Sequence, residues 1–151
     1  MRNSSNVSRP KGLSLILLLL CFNPVRGQNS EFTTENYCQL TKSLMELSAL
    51  EWRDRVKTAI DQKQSSSKEM VKSLEKLTSQ YRKPQNRAYR QYGIGKRFYL
   101  RYGSDHKTEI ESYLEDNQDV RGEIESIREQ INGLIQQFES VMSNRKEGEQ
   151  Q

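Results

Sequence analysis

The sequence predicts an all-α protein, an elongated antiparallel helical hairpin or coiled coil, and three observations point there. No Pro or Gly stands between Asn36 and Arg82, so one long helix is permitted. Apolar residues recur three and four apart in both halves of the chain, the spacing of a helical seam. The two seamed segments also carry opposite charge: residues 36–83 hold ten basic and six acidic groups, residues 105–142 three basic and ten acidic. Opposite charge favours packing of one segment on the other over like-with-like pairing.

Residues 1–27 read as a secretory signal peptide. Arg2, Arg9 and Lys11 precede the apolar run "LSLILLLLCF", and Val25 and Gly27 are spaced like a small-residue cleavage site. The run is short of the roughly 20 apolar residues that span a bilayer, which disfavours a retained N-terminal anchor. Leu20 before Cys21 disfavours a lipoprotein site. Cleavage would remove four of the 24 basic residues and none of the 20 acidic ones, leaving a neutral chain. The basic excess that invites a nucleic-acid reading therefore belongs to the leader. The expected location is exported: periplasmic, cell-surface or secreted.

Residues 28–35 are expected to be a flexible N-terminal segment, with Thr33 or Thr34 as the N-cap of a long helix over 36–83. Its seam runs Val56, Ile60, Lys63, Ser67, Met70, Leu74, Leu77, Tyr81, after a change of phase near Trp52. Ser66 and Glu69 form a capping-box pattern, so residues 62–67 are a candidate break. Pro84 is expected to close this helix.

Residues 84–104 form a non-helical basic-aromatic connection in this reading, with "KRFYLRYG" strand-like in alternation and "GIGK" a flexible turn. Ser104 or Asp105 then caps a second long helix over 105–143, whose seam is Ile110, Leu114, Asn117, Val120, Ile124, Ile127, Ile131, Leu134, Phe138 and Val141. Residues 144–151 are expected to be a disordered tail. A bare two-helix hairpin buries only a narrow stripe. Dimerisation, or folding back at 62–67 into three helices, would bury more.

Catalysis has little to stand on. His106 is the single histidine, and a metal site needs three or four convergent ligands, so no metal and no cofactor is expected. In a hairpin, His106 and Cys38 fall at opposite ends, which disfavours a Cys–His pair. Glu115, Asp116 and Asp119 read as a solvated helical face. "GIGK" lacks the Ser/Thr that a phosphate loop places after its Lys. Cys38 is the one cysteine left after cleavage, and is either a buried thiol or the site of an intermolecular disulfide.

The candidate contact residues are Arg87, Tyr89, Arg90, Tyr92, Lys96, Arg97, Phe98, Arg101 and Tyr102. Their mixture of cations and rings fits a structural cap on the open end of the hairpin. It also fits a protein-partner contact, an anionic membrane or envelope surface, or a nucleic-acid stacking platform. Export makes nucleic acid the weakest of these. The function expected is that of a non-enzymatic helical interaction protein, an assembly, adaptor or chaperone-like component whose partner is another protein or a second copy. A polyanion- or membrane-surface-binding module acting through 84–104 is the alternative.

Overall fold

The computed structural model describes residues 31–148. The expected signal peptide and its cleavage site lie outside the described residues. Those described form five helices and no strand: α1 (Thr34–Asp61), α2 (Ser67–Gln91), α3 (Lys96–Asp105), α4 (Lys107–Asp116) and α5 (Gln118–Gly148).

α1 starts in a capping box. The Asn36 amide donates to Thr33 Oγ1 at 3.2 Å, and the Thr33 amide donates back to Asn36 Oδ1 at 3.2 Å. This satisfies two amides that would otherwise lack a partner at a helix start. The flexible segment expected over 28–35 therefore does not run through Phe32–Glu35.

The helix expected over 36–83 is divided at its candidate break, residues 62–66, into two helices. After Asp61 the chain turns, and a second capping box starts α2: the Glu69 amide donates to Ser66 Oγ at 3.3 Å and the Ser66 amide to Glu69 Oε2 at 3.0 Å. Those bonds hold the Glu69 carboxyl below its usual pKa. α2 then runs back along α1. Gln62 Nε2 donates to Ser73 Oγ (2.9 Å), Arg55 to Thr78 Oγ1 (2.6 Å) and the Tyr81 hydroxyl to Asp54 Oδ2 (2.7 Å). At the far end Leu40, fully buried, packs against Ala88 and Tyr89.

Pro84 does not end the helix; it lies inside α2. A proline in a helix interior costs about 3 kcal/mol or more through a lost hydrogen bond and a clash. The two turns beyond it are held because Ala88 and Tyr89 are buried on Leu40, so tertiary packing outweighs the local preference.

α5 lies on a different stripe of α1, and the antiparallel pairing expected between 36–83 and 105–143 is replaced by a parallel one. Lys42 pairs with Glu123 near the start of both helices. Trp52 meets Phe138 edge-on at 5.7 Å midway. Arg145 Nη1 donates to the Gln62 carbonyl at 3.1 Å at the end, and Nη2 bonds the Ser65 carbonyl. Because α1 and α2 have already reversed the chain, the third long segment returns in the direction of the first. Cys38, Ala49, Val56 and Ala59 of α1 are buried, and α1 and α5 approach each other closely. Among the described residues α2 and α5 make no close backbone approach, so α1 is flanked by both.

The second long helix expected over 105–143 is also divided. α3 continues through Ser104 and Asp105, and His106 (φ −113°, ψ 26°) joins it to α4 without a side-chain cap. Asn117 (φ −121°, ψ 70°) joins α4 to α5, where its Nδ2 donates to the Tyr113 carbonyl at 2.8 Å. An asparagine that bonds its own backbone in this way competes with the helix. At the C-terminal side, the disordered tail expected from residue 144 begins as helix: α5 reaches Gly148 and Arg145 is 7% exposed.

Candidate functional site

The segment expected to be a non-helical connection is helical except for a four-residue turn. α2 ends in a Schellman motif: the Gly93 amide donates to the Arg90 carbonyl at 3.0 Å and the Ile94 amide to the Tyr89 carbonyl at 3.2 Å. Gly93 takes φ +68°, a conformation in which a side chain is strained. Ile94 completes the motif by packing on the Leu40–Ala88–Tyr89 cluster. "GIGK" is thus a hydrogen-bonded helix stop, and "KRFYLRYG" is α3 rather than a strand.

The rings of this segment are spent on the start of α1. Phe32 meets Tyr102, Phe98 and Tyr92 edge-on at 5.0, 5.6 and 6.1 Å. Tyr37 stacks on Tyr99 at 4.7 Å and on Tyr102 at 5.6 Å, and Tyr89 meets Tyr99 at 5.6 Å. Two hydroxyl pairs tie the cluster to α1: Tyr99 with Thr41 (2.8 Å) and Tyr102 with Thr34 (3.3 Å). Burial pushes the Tyr99 phenol well above its usual pKa, and Tyr89 and Tyr92 upward as well. Gly103 makes room for this packing, because a Cβ there would sit 2.3 Å from the Tyr37 hydroxyl oxygen.

The cations point the other way. Arg87, Arg90, Lys96, Arg97 and Arg101 are exposed, and among the described residues only Arg101 of these five has an ion-pair partner, Asp105 at 3.5 Å. Phe98 is 45% exposed, while Tyr89 is buried and Tyr92 and Tyr102 half-buried. Charge and rings are therefore sorted onto opposite sides of one element. A base-stacking platform needs ring faces open to the ligand, and here the tyrosine faces lie against one another. The structural-cap reading accounts for the rings but leaves the cations without a role.

Phe32, Tyr37 and Thr41, the other half of the cluster, escape a reading that starts the apolar seam at Leu40. The available signal is the Tyr37–Thr41 spacing of four residues directly ahead of that seam.

A cleft of about 460 Å³ opens beside the cluster, lined in part by Phe32, Phe98, Tyr102, Arg101, Asp105 and His106. His106 stacks on Tyr102 at 4.2 Å and its Nδ1 lies 2.7 Å from Glu109. Since α1 begins at this end, His106 and Cys38 share it instead of lying at opposite ends. They do not form a nucleophile–base pair. Cys38 is 1% exposed, burial raises its thiol pKa, and the His106 ring is engaged by Glu109. The same enclosure bars an intermolecular disulfide through Cys38 while the chain is folded. Among the described residues no group of three His, Cys, Asp or Glu side chains could hold a metal ion. Glu115, Asp116 and Asp119 are all exposed about the α4–α5 junction.

What the fold and its basic-aromatic end define is an all-α protein with a ring-sealed end and a cationic exterior. No protein-family model, curated protein or solved structure matches the chain. Among the described residues no helix is long and apolar enough to cross a membrane.

Proposed function

We propose that the chain is an exported, non-enzymatic interaction protein, an assembly, adaptor or chaperone-like component, whose helices receive a further helix from a second copy or another protein. The observation that carries this reading is the incomplete cover of its seams. α2 and α5 each pack on α1 and not on each other. Leu74 and Leu77 on α2, and Ile127, Ile131, Leu134 and Phe138 on α5, consequently stay half-exposed along their seams. Leu50, Ile60 and Val71 are 45%, 50% and 54% exposed. Apolar seams of this length are the contact surface that helical partners use. Such a partner would turn the helical hairpin of α1 and α2 with α5 into a closed bundle.

Light scattering on a sizing column tests self-association, read together with the fluorescence of Trp52, which lies half-buried between Arg55 and Phe138. A two-chain mass and a concentration-dependent shift of that fluorescence are expected. A monomer mass at every concentration, with no partner crosslinked in the exported fraction, would refute the reading.

A further inference from the structure

The outer side of α2 carries a feature that the seams do not explain. Lys68, Lys72, Lys76, Lys83, Arg87 and Arg90 follow one another at steps of four, four, seven, four and three residues. Those steps place all six on one stripe of the helix. By helical spacing the stripe lies opposite the α2 seam of Met70, Leu74, Leu77, Tyr81 and Ala88, in which Met70 and Ala88 are buried and Tyr81 bonds Asp54 of α1. All six are exposed, and among the described residues no ion pair takes up any of them. At ~1.5 Å per residue the stripe is about 33 Å long. Only Glu69 and Glu75 oppose it on α2, and Glu69 is engaged by the Ser66 cap.

α3, which touches α2, continues the charge and adds an apolar residue. Leu100 is 58% exposed at the centre of its outer face. Lys96 and Arg97 stand four and three residues before it, Arg101 follows it, and Ser104 lies one turn beyond. Among the described residues Leu100 is left exposed, with cations before and after it in α3.

We propose that the outer stripe of α2 and the outer face of α3 dock on an anionic lipid bilayer, with the cations at the headgroups and Leu100 in the interfacial layer. Charge complementarity selects an anionic partner, and a row of cations along one face of a helix matches an extended anionic surface. Leu100 selects the bilayer over a soluble polyanion, which would offer that side chain no apolar environment. The tyrosine faces are taken up by one another and by the start of α1, so the docking relies on charge and on Leu100. This goes beyond the protein-partner reading and does not depend on it, since the seams and the stripe occupy different faces.

Sedimentation of the full-length chain with vesicles tests it. Phosphatidylcholine vesicles set the baseline, including whatever the apolar run at 13–22 contributes, and vesicles that also contain phosphatidylglycerol supply the anionic surface. Binding to the anionic vesicles is expected to exceed the baseline and to weaken with salt. Lys76→Ala should weaken it about fivefold, whereas Lys107→Ala, on α4 beside Glu111, should leave it unchanged. The combined Lys72→Glu, Lys76→Glu, Lys83→Glu and Arg87→Glu variant should fall to the neutral-vesicle baseline with its far-ultraviolet circular dichroism intact. Leu100→Ser should weaken vesicle binding severalfold and leave binding of soluble polyphosphate unchanged.

Equal binding to the two vesicle types, or anionic-vesicle binding that survives the fourfold reversal, overturns the proposal. Polyphosphate binding without vesicle binding overturns the lipid assignment and makes the stripe a site for a soluble polyanion.

Discussion

Replacing Gly103 by Ala should destabilise the protein even though the position is helical. A Cβ built there lies 2.3 Å from the hydroxyl oxygen of Tyr37, 2.8 Å from Cζ and 3.1 Å from Cε2. These atoms have no easy way out. The Tyr37 ring is stacked on Tyr99 and Tyr102, so relief means shifting α3 away from α1 or breaking the stack. Overpacking of this kind costs about 1–3 kcal/mol, and the closeness of the contact argues for the upper end. Alanine recovers about 1 kcal/mol of helix propensity, so the net loss should be about 2 kcal/mol. Gly122 and Gly133 provide the control, because a Cβ at either meets nothing within 4 Å. Gly122→Ala and Gly133→Ala should each stabilise by about 0.5–1 kcal/mol. Urea unfolding followed by circular dichroism measures all three. In a Tyr37→Leu background, Gly103→Ala should cease to destabilise. If Gly103→Ala proves as stable as Gly122→Ala, the close packing of α3 on Tyr37 is refuted.

Three further outcomes follow from the geometry. Arg145→Met should cost about 2–3 kcal/mol in urea unfolding, since it strips a charged donor from the Gln62 and Ser65 carbonyls at the end of α1; an effect within a few tenths of wild type would contradict that role. Raising the pH should unfold the chain. Burial and then the bond to Asp54 push Tyr81 up to about 12, and Tyr99 is raised by burial as well, from an unfolded value of about 10. The protonated phenols thus favour the folded state fully below pH ~10, and that stability is lost as pH rises towards 12; tyrosinate absorbance and circular dichroism should change together. Cys38 should resist a thiol reagent in native buffer and react on unfolding, and rapid native labelling would show that α1 opens at its start.

The parts legible in the sequence were those written in local chemistry. Helical periodicity names the class, and Thr33 with Asn36, and Ser66 with Glu69, are recognisable as helix starts because a cap acts within one turn. Pro84 misleads for the opposite reason. Its local preference is to stop a helix, and what overrules it is the burial of Ala88 and Tyr89 on Leu40, more than forty residues earlier in the chain. Asn117 sits in register with the apolar seam, so periodicity alone runs straight through the break that its side chain helps to make. The direction of α5 depends on whether the chain reverses once or twice before it, and one turn misjudged inverts the pairing. At the basic-aromatic end the composition is plain in the sequence. The sorting of rings inward and cations outward is not, because it requires knowing that Phe32 and Tyr37 lie across from α3.

The guanidinium of Arg145 also sets an order of events. The turn it closes spans residues 62–66, and its ligands there are made more than 75 residues before it during synthesis. A chain emerging from the ribosome can form α1 and α2 early, yet the carbonyls at their junction wait for a residue in the last turns of α5. Until α5 is complete, the Gln62 carbonyl has the bond from the Ser65 amide and lacks the second one from the guanidinium. A chain interrupted before Arg145 would keep the caps at Gln62 and Ser66 but lack the guanidinium that bridges the two carbonyls of its first reversal.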